Sequence, residues 1–284
     1  SCNTDNAPDC FKAAGTIVES EINVGPFSKI SVNKKIQLFI KEGADYKVVI
    51  ETGENIITEI DVLTTDGVLY LTNNIGCNFV RDYGITKAYV TAPNIEEIRN
   101  NSSLTVSSIG VLKYANLTLL SEDYETEEFY TNGDFILDLE VENLNITANG
   151  FSNFFLTGSA IKANIALYSG NSRVEAADFL IQDLIVFHRS TNKIIVNPQI
   201  IQNKTFSDER GSFDKIFHSG ESFFEVKQIN ISKTIKMGAI RGIHGSKSSE
   251  EEKLVTCLNG KILDICVDLR FNSKTFGKVH STKL

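Results

Sequence analysis

The sequence predicts an all-β protein in two successive pieces, a β-solenoid over residues 1–198 and a smaller β piece over residues 199–284. Three observations predict it. Short segments such as Ile36-Gln37-Leu38-Phe39-Ile40 and Tyr46-Lys47-Val48-Val49-Ile50 alternate apolar and polar residues, the pattern of a half-buried strand. Apolar triplets recur at a spacing of about twenty residues after residue 90. Composition changes abruptly around Asn197-Pro198-Gln199, which predicts a boundary there.

In the first piece, Gly, Asn and Asp clusters separate the strand patterns: Glu42-Gly43-Ala44-Asp45, Thr52-Gly53-Glu54-Asn55 and Thr65-Asp66-Gly67. No helix longer than two turns is predicted. Leu144-Asn145-Ile146, Ile165-Ala166-Leu167 and Leu184-Ile185-Val186 are the recurring triplets, and Leu117-Thr118-Leu119 precedes them as an earlier rung. Each of the three leads through a polar turn (Asn149-Gly150, Ser169-Gly170-Asn171, His188-Arg189-Ser190) to a second apolar site at Phe154, Val174 or Ile194. A repeat of this length with one or two short strands is the signature of stacked rungs that bury their inward residues only against neighbouring rungs. The six triplet termini from Leu144 to Val186 are expected to stack in two interior columns. An antiparallel sandwich with accidental spacing is the alternative.

In the second piece, Asn259-Gly260 separates Lys253-Leu254-Val255-Thr256-Cys257-Leu258 from a run over residues 261–269. Asn-Gly between strand patterns predicts a two-residue hairpin, because a type I′ turn needs positive φ at both positions. That register sets Leu254, Leu258, Leu263, Ile265, Val267 and Leu269 on one face, the expected core face. It also holds Cys257 and Cys266 too far apart to bond, so both should stay reduced.

Apolar residues make up 42% of the 284 and charged residues 23%, enough for a sizeable core. No apolar run reaches the roughly 18 residues of a membrane span. The 28 basic and 36 acidic side chains divide unevenly: 14 and 10 of them follow residue 198, leaving 14 and 26 before it. A protein of net charge −8 lacks the clustered cations of a nucleic-acid surface. Neither nucleophile–base pairs nor metal-ligand spacings occur in the first piece, and neither a metal nor a cofactor is expected anywhere.

The second piece resembles the dTDP-4-dehydrorhamnose 3,5-epimerase family. The resemblance runs from about Phe206 to the last residue through Phe206-Ser207-Asp208-Glu209-Arg210-Gly211-Ser212-Phe213, Gln228-Ile229-Asn230, Arg241-Gly242-Ile243-His244, Lys253-Leu254-Val255, the 264–270 block and Ser273-Lys274-Thr275-Phe276-Gly277. It implies a jelly-roll cupin that takes a dTDP-sugar and moves protons beside a ketone. By resemblance, His244 is the general base, a task that suits imidazole near neutral pH. Arg241 and Lys253 match cations near the substrate, suited to an enolate or to phosphate. Arg210, Phe213, Gln228 and Asn230 match nucleotide-binding residues. Lys215 stands where the family usually has Glu. The family's second half, with its acid tyrosine and the Asp that orients the base, has no counterpart before Leu284. A truncated, inactive cupin is therefore expected; a barrel completed by another chain, with homo-oligomer formation through open β-edges, is the alternative. Arg241 and His244 are three residues apart, on opposite faces of a regular strand, so Gly242 is the expected site of a kink.

The first piece resembles the head GIN domain family of adhesins, common as exported lipoproteins. Val24-Gly25-Pro26-Phe27-Ser28-Lys29-Ile30-Ser31-Val32, Glu51-Thr52-Gly53-Glu54-Asn55, Gly76-Cys77-Asn78-Phe79-Val80-Arg81, Val90-Thr91-Ala92-Pro93-Asn94, Asn132-Gly133-Asp134-Phe135 and His188-Arg189-Ser190 carry the resemblance. It implies a β-helix-like fold, an unknown surface or envelope ligand, and no catalytic residues. Ser1-Cys2 is similar to the end of a lipobox, so Cys2 is the expected lipidation site and a lipid the only expected link to a membrane. Cys10 and Cys77 are then an even pair in an exported domain and are expected to form a disulfide. The two resemblances imply different compartments, the cell envelope for the first piece and the cytoplasm for the second. A chimera in which neither half keeps its full function would reconcile them.

Overall fold

The computed structural model describes residues 11–76, 82–124, 130–203, 206–208, 211–213, 231–242, 244–245 and 253–284, with side-chain environments left out for 198–213. The protein divides into two compact units, Ser1–Phe223 and Phe224–Leu284. Every regular element among the described residues is a strand, apart from short 3-10 turns. The all-β reading holds.

The first unit carries one thirteen-stranded sheet. Eight short strands come first: β1 (Ile17–Ile22), β2 (Lys29–Asn33), β3 (Gln37–Glu42), β4 (Lys47–Gly53), β5 (Ile60–Thr65), β6 (Val68–Asn73), β7 (Lys87–Ala92) and β8 (Glu97–Asn101). Five longer ones follow: β9 (Val106–Ser121), β10 (Phe135–Ala148), β11 (Asn153–Leu167), β12 (Arg173–His188) and β13 (Ile194–Asn203). β9 to β13 pair in sequence order, each parallel to the last. Parallel neighbours joined by a turn rather than a crossover helix mean that the backbone winds once per strand.

Each long strand has two limbs. Burial alternates along β10 until Glu142 and Asn143, two successive residues outside the core, and then resumes in the opposite phase. β11 and β12 slip likewise at Ile161-Lys162 and Gln182-Asp183. Asn143, Lys162 and Asp183 are register partners, so the three strands turn the same corner at the same level. The short strands extend both limbs: β3 pairs with the start of β9, and β8 with its end.

The core lies between the limbs as two sets of columns. In the first limb, Ile50, Ala88, Leu38, Val106, Phe135, Phe154, Val174 and Ile194 follow one another across eight strands, all buried. The predicted second apolar sites are the last three of these. In the second limb Leu69, Ile30, Ile98, Leu119, Ile146, Ile165 and Val186 follow one another across seven strands, all buried except the partly buried Val186. Here the expected columns need correction by one step. Ile165 lies beside Ile146, and Leu144 is opposite Ala163, which in turn faces Leu184. The rung lengths of 19 and 21 residues displace the middle triplet by one alternation, and the small Ala163 hides the true core position.

Turns close the rungs by stacking. The amide of Asn171 donates to the Gly150 carbonyl at 2.8 Å and that of Thr191 to the Gly170 carbonyl at 3.0 Å. Gly170 has φ +77°, and a Cβ there would lie 2.1 Å from the Gly150 oxygen. Only glycine fits both the backbone angle and the approach. β13 continues the parallel stack through Pro198, which faces Ile181, to Asn203. A proline lacks a ladder donor and is tolerated at such a margin of a sheet. A short antiparallel pair follows, β14 (Phe206–Asp208) with β15 (Gly211–Phe213).

Of the second unit, the described residues show an antiparallel pair, β16 (Leu263–Val267) and β17 (Val279–Lys283), with Cys266 opposite His280. The Asn-Gly hairpin does not form as expected: residues 253–257 are not a strand, although Gly260 has φ +94°. β16 takes β17 as its partner, and the mutual bonds of Ile262 and Leu284 at 2.9 and 3.0 Å extend that pairing. The expected core face is largely exposed, since Leu254, Leu258, Leu263, Ile265 and Leu269 all face solvent. A two-stranded ribbon cannot bury either face by itself. Cys257 and Cys266 are free thiols.

Candidate functional site

One residue beyond the buried column of the first limb lies its outward counterpart. Strand alternation makes this unavoidable. The outward column reads Glu21, Val49, Tyr89, Phe39, Ser107, Ile136, Phe155, Glu175 and Ile195. A polar exterior would be ordinary, yet six of these nine are apolar or aromatic. Phe39 and Tyr89 stack with ring centroids 5.0 Å apart and planes 14° from parallel. Ile136 is 51% exposed and Phe155 40%.

Charged pairs border the stripe and, at Glu21 and Glu175, fall within it. Lys87 Nζ donates to Glu51 at 2.6 Å, and the Tyr89 hydroxyl donates to the other oxygen of the same carboxylate at 3.2 Å. The bond to Glu51 raises the Lys87 pKa above its ordinary value. Burial, and then the Glu51 charge, raises that of the Tyr89 phenol. Both groups therefore keep their protons at neutral pH. Lys47 pairs with Glu21 at 2.5 Å, Lys113 with Glu140 at 2.7 Å, and Arg173 with Glu175. These pairs match charge locally in a piece that is net acidic overall, and between them the stripe offers apolar contact. Sequence periodicity located the inward residues; the outward stripe could have been found by reading the next position in each rung.

One small cavity, about 30 Å³, is lined by Lys35, Ile56, Asn73, Tyr83 and Thr86 among others. That is room for a water or two. The described residues contain no cluster of three or more metal-ligating side chains, and no helix there is long and apolar enough to cross a membrane.

In the second unit, Arg241 lies on an exposed, non-strand segment and donates to the Lys233 carbonyl at 3.0 Å and to Thr234 Oγ1 at 3.3 Å. Gly242 has φ +123° and His244 is exposed, but no strand forms here, so the expected kink within a strand has no counterpart among the described residues. Lys253 is exposed on the segment leading toward Gly260. The contacts of Arg241 hold it to its own segment. Asp268 organises the loop between β16 and β17. It accepts from the Arg270 amide, Nε and Nη2, each at 2.9 Å, from Ser273 Oγ at 2.6 Å and from Thr275 Oγ1 at 2.5 Å. Arg270 first, then Ser273 and Thr275, hold its carboxyl far below the usual carboxylate range. Phe213 belongs to β15, in the first unit. Arg210, Gln228, Asn230, Cys2, Cys10 and Cys77 lie outside the described residues or, for Cys77, at the start of the segment left undescribed after residue 76.

Comparison with known proteins gives two matches along the sequence. The family model described as "Putative auto-transporter adhesin, head GIN domain" matches residues 26–201. The model described as dTDP-4-dehydrorhamnose 3,5-epimerase matches residues 193–284. Among solved structures, one described as a "putative adhesin" from Bacteroides fragilis aligns with a TM-score of 0.53 at 18% identity, covering 66% of this protein and 92% of that one. At that identity the likeness is one of fold. The dTDP-4-dehydrorhamnose 3,5-epimerase of Methanothermobacter thermautotrophicus is 34% identical over 89 residues, 30% of this protein and 48% of the enzyme. That of Shigella flexneri is 40% identical over 86 residues, 28% and 47% respectively. The match thus spans about half the length of these curated relatives.

Proposed function

The chain belongs to the head GIN domain family, with part of an epimerase domain fused behind, and from that membership we propose that its first unit is a non-enzymatic, envelope-associated binding module. The observation that carries this reading is the outward stripe centred on Tyr89, Phe39, Ile136 and Phe155. A continuous, largely parallel sheet displays it, and several charges on that face are already paired. Exposed apolar contact area rimmed by polar groups marks a surface for a partner. Export and a lipid on Cys2 are parts of the same proposal, and Cys10 with Cys77 would pair in that oxidising setting.

The test has two arms. Surface proteolysis and fractionation of cells making the native protein should find it in the envelope. Purified protein carrying Ile136→Ser and Phe155→Ser should lose binding to immobilised extracellular-matrix proteins or host glycans while keeping its unfolding temperature. A cytosolic, protease-protected protein would overturn the reading, as would full binding by the double variant.

A second reading rests on the 34–40% identity of residues in the 193–284 segment to sugar epimerases. In it, the segment takes a dTDP-4-keto-sugar, held by Arg210, Phe213, Gln228 and Asn230. His244 removes the proton, and Arg241 and Lys253 stabilise the enolate. No tyrosine follows Tyr168, so a phenol on the opposite sugar face would have to come from elsewhere, such as a second subunit. Deuterium wash-in at C3 and C5 of the keto-sugar, lost in His244→Ala, is the result this reading requires. Wash-in no faster than without protein removes it.

A further inference from the structure

Three Asn-Gly dipeptides occur in the sequence, Asn132-Gly133, Asn149-Gly150 and Asn259-Gly260. Asn-Gly is the pair in which the following amide nitrogen most readily attacks the asparagine side chain, because glycine offers no Cβ to obstruct the approach. Attack needs backbone freedom, and the three sites differ in it.

Gly133 and Gly150 are buried in the stacked turns of the first unit. A Cβ on Gly133 would lie 2.2 Å from the Ser102 carbonyl oxygen, and one on Gly150 2.1 Å from Thr131 Oγ1. The Asn149 amide group donates to Asp123 at 2.6 Å, which fixes that side group too. Asp134, next to Gly133, is held by its bonds to the Asn153 backbone and side-group amides at 2.8 and 2.9 Å. Asn259 and Gly260 are both exposed and outside any strand, and nothing stands within 4 Å of a Cβ built on Gly260.

We propose that Asn259 is a site of spontaneous deamidation, and that the fold protects Asn132 and Asn149 from the same reaction. The Gly260 nitrogen attacks the Cγ carbonyl carbon of Asn259. A new C–N bond closes a five-membered succinimide, the Cγ–Nδ2 bond breaks, and the proton of the attacking nitrogen leaves with the departing ammonia. Water then opens the ring at either carbonyl, giving aspartate or isoaspartate. No oxidant or cofactor takes part. Each event replaces a neutral amide with a carboxylate in a part of the sequence that is otherwise net basic. The isoaspartyl product also inserts one extra backbone carbon between residues 259 and 260, just ahead of β16.

The test is peptide mapping by mass spectrometry of the full-length protein after incubation in mildly alkaline buffer, with isoaspartyl methyltransferase labelling to identify the β-linked product. Asn259 should convert at least about tenfold faster than Asn132 or Asn149 in the folded protein, because the other two must first open locally. In denaturant the three should converge, and Gly260→Ala should slow reaction at 259 in both states. Equal rates at the three sites in the folded protein would overturn the proposal. So would an Asn259 that stays intact while the denatured protein reacts.

Discussion

Phe135 and Phe154, nineteen residues apart in sequence, lie face to face inside the first unit with ring centroids 4.8 Å apart and planes 8° from parallel. They are register partners on adjacent parallel strands, and both are completely buried. Their stack is the bulkiest step in a column whose other members are Ile, Val, Leu and Ala.

Truncating either ring should therefore be severe. Phe154→Ala should cost about 3–5 kcal/mol of stability through lost burial and the cavity left behind. A double-mutant cycle with Phe135→Ala should give a coupling of about 0.5–1.5 kcal/mol for the ring pair. Denaturant unfolding of the full-length protein, followed by a β-sheet signal, measures both. Additive losses would mean that the rings contribute burial alone.

Two glycines with nearly the same backbone angle make a controlled comparison. Gly67, at φ +75°, has nothing near its missing side group, whereas Gly170, at φ +77°, abuts the Gly150 carbonyl. Gly67→Ala should cost about 1–2 kcal/mol, the ordinary strain of a left-handed alanine. Gly170→Ala should cost more, roughly 3 kcal/mol or above, because backbone must move as well. Thermal or urea unfolding of the two variants makes the comparison, and similar losses would show that the turns yield easily.

The loop between β16 and β17 should respond to acid. The folded pKa of Asp268 is depressed, so its contribution is present above the unfolded value of about 3.9 and is lost as pH falls through the folded value. The protection factor of the Gly277 amide, whose nitrogen donates to the Asp268 carbonyl at 2.7 Å, should fall progressively below about pH 4 once the intrinsic pH dependence of exchange is divided out. In Asp268→Asn the exchange should already be fast at neutral pH and lose that pH response. Protection unchanged in the variant would count against the bonding described.

How much of this was legible in the sequence differs by region. Phe154, Val174 and Ile194 were readable as one column because each follows a polar turn at a fixed offset, and the local pattern there coincides with the tertiary one. The triplet over 165–167 misled by two residues because Ala163, the true core position, carries too little apolar surface to stand out. The corner at Glu142-Asn143 was invisible, since a phase slip at the surface reads as polar noise. The outward stripe was not read because attention to the buried phase of each rung leaves the next position, such as Phe39 or Ile136, unexamined. In the second unit, Asn259-Gly260 pointed to a hairpin, but pairing is decided by competition, and β17 took the partner that 253–258 was expected to supply. The candidate residues His244, Arg241 and Lys253 came from resemblance alone; nothing in their periodicity would have singled them out.

The stacked turns and in-register strands also give the first unit a directional response to force. Inter-strand hydrogen bonds run along the stacking axis, so tension along that axis would peel rungs away singly, each rupture loading only the next. Tension along one limb would instead load its register pairs together, six of them between β11 and β12 ahead of the corner at Lys162. A body anchored at one end and gripped on its outward stripe would feel a mixture set by the angle of the pull. Its lifetime under load would depend on that angle as much as on its unfolding rate at rest.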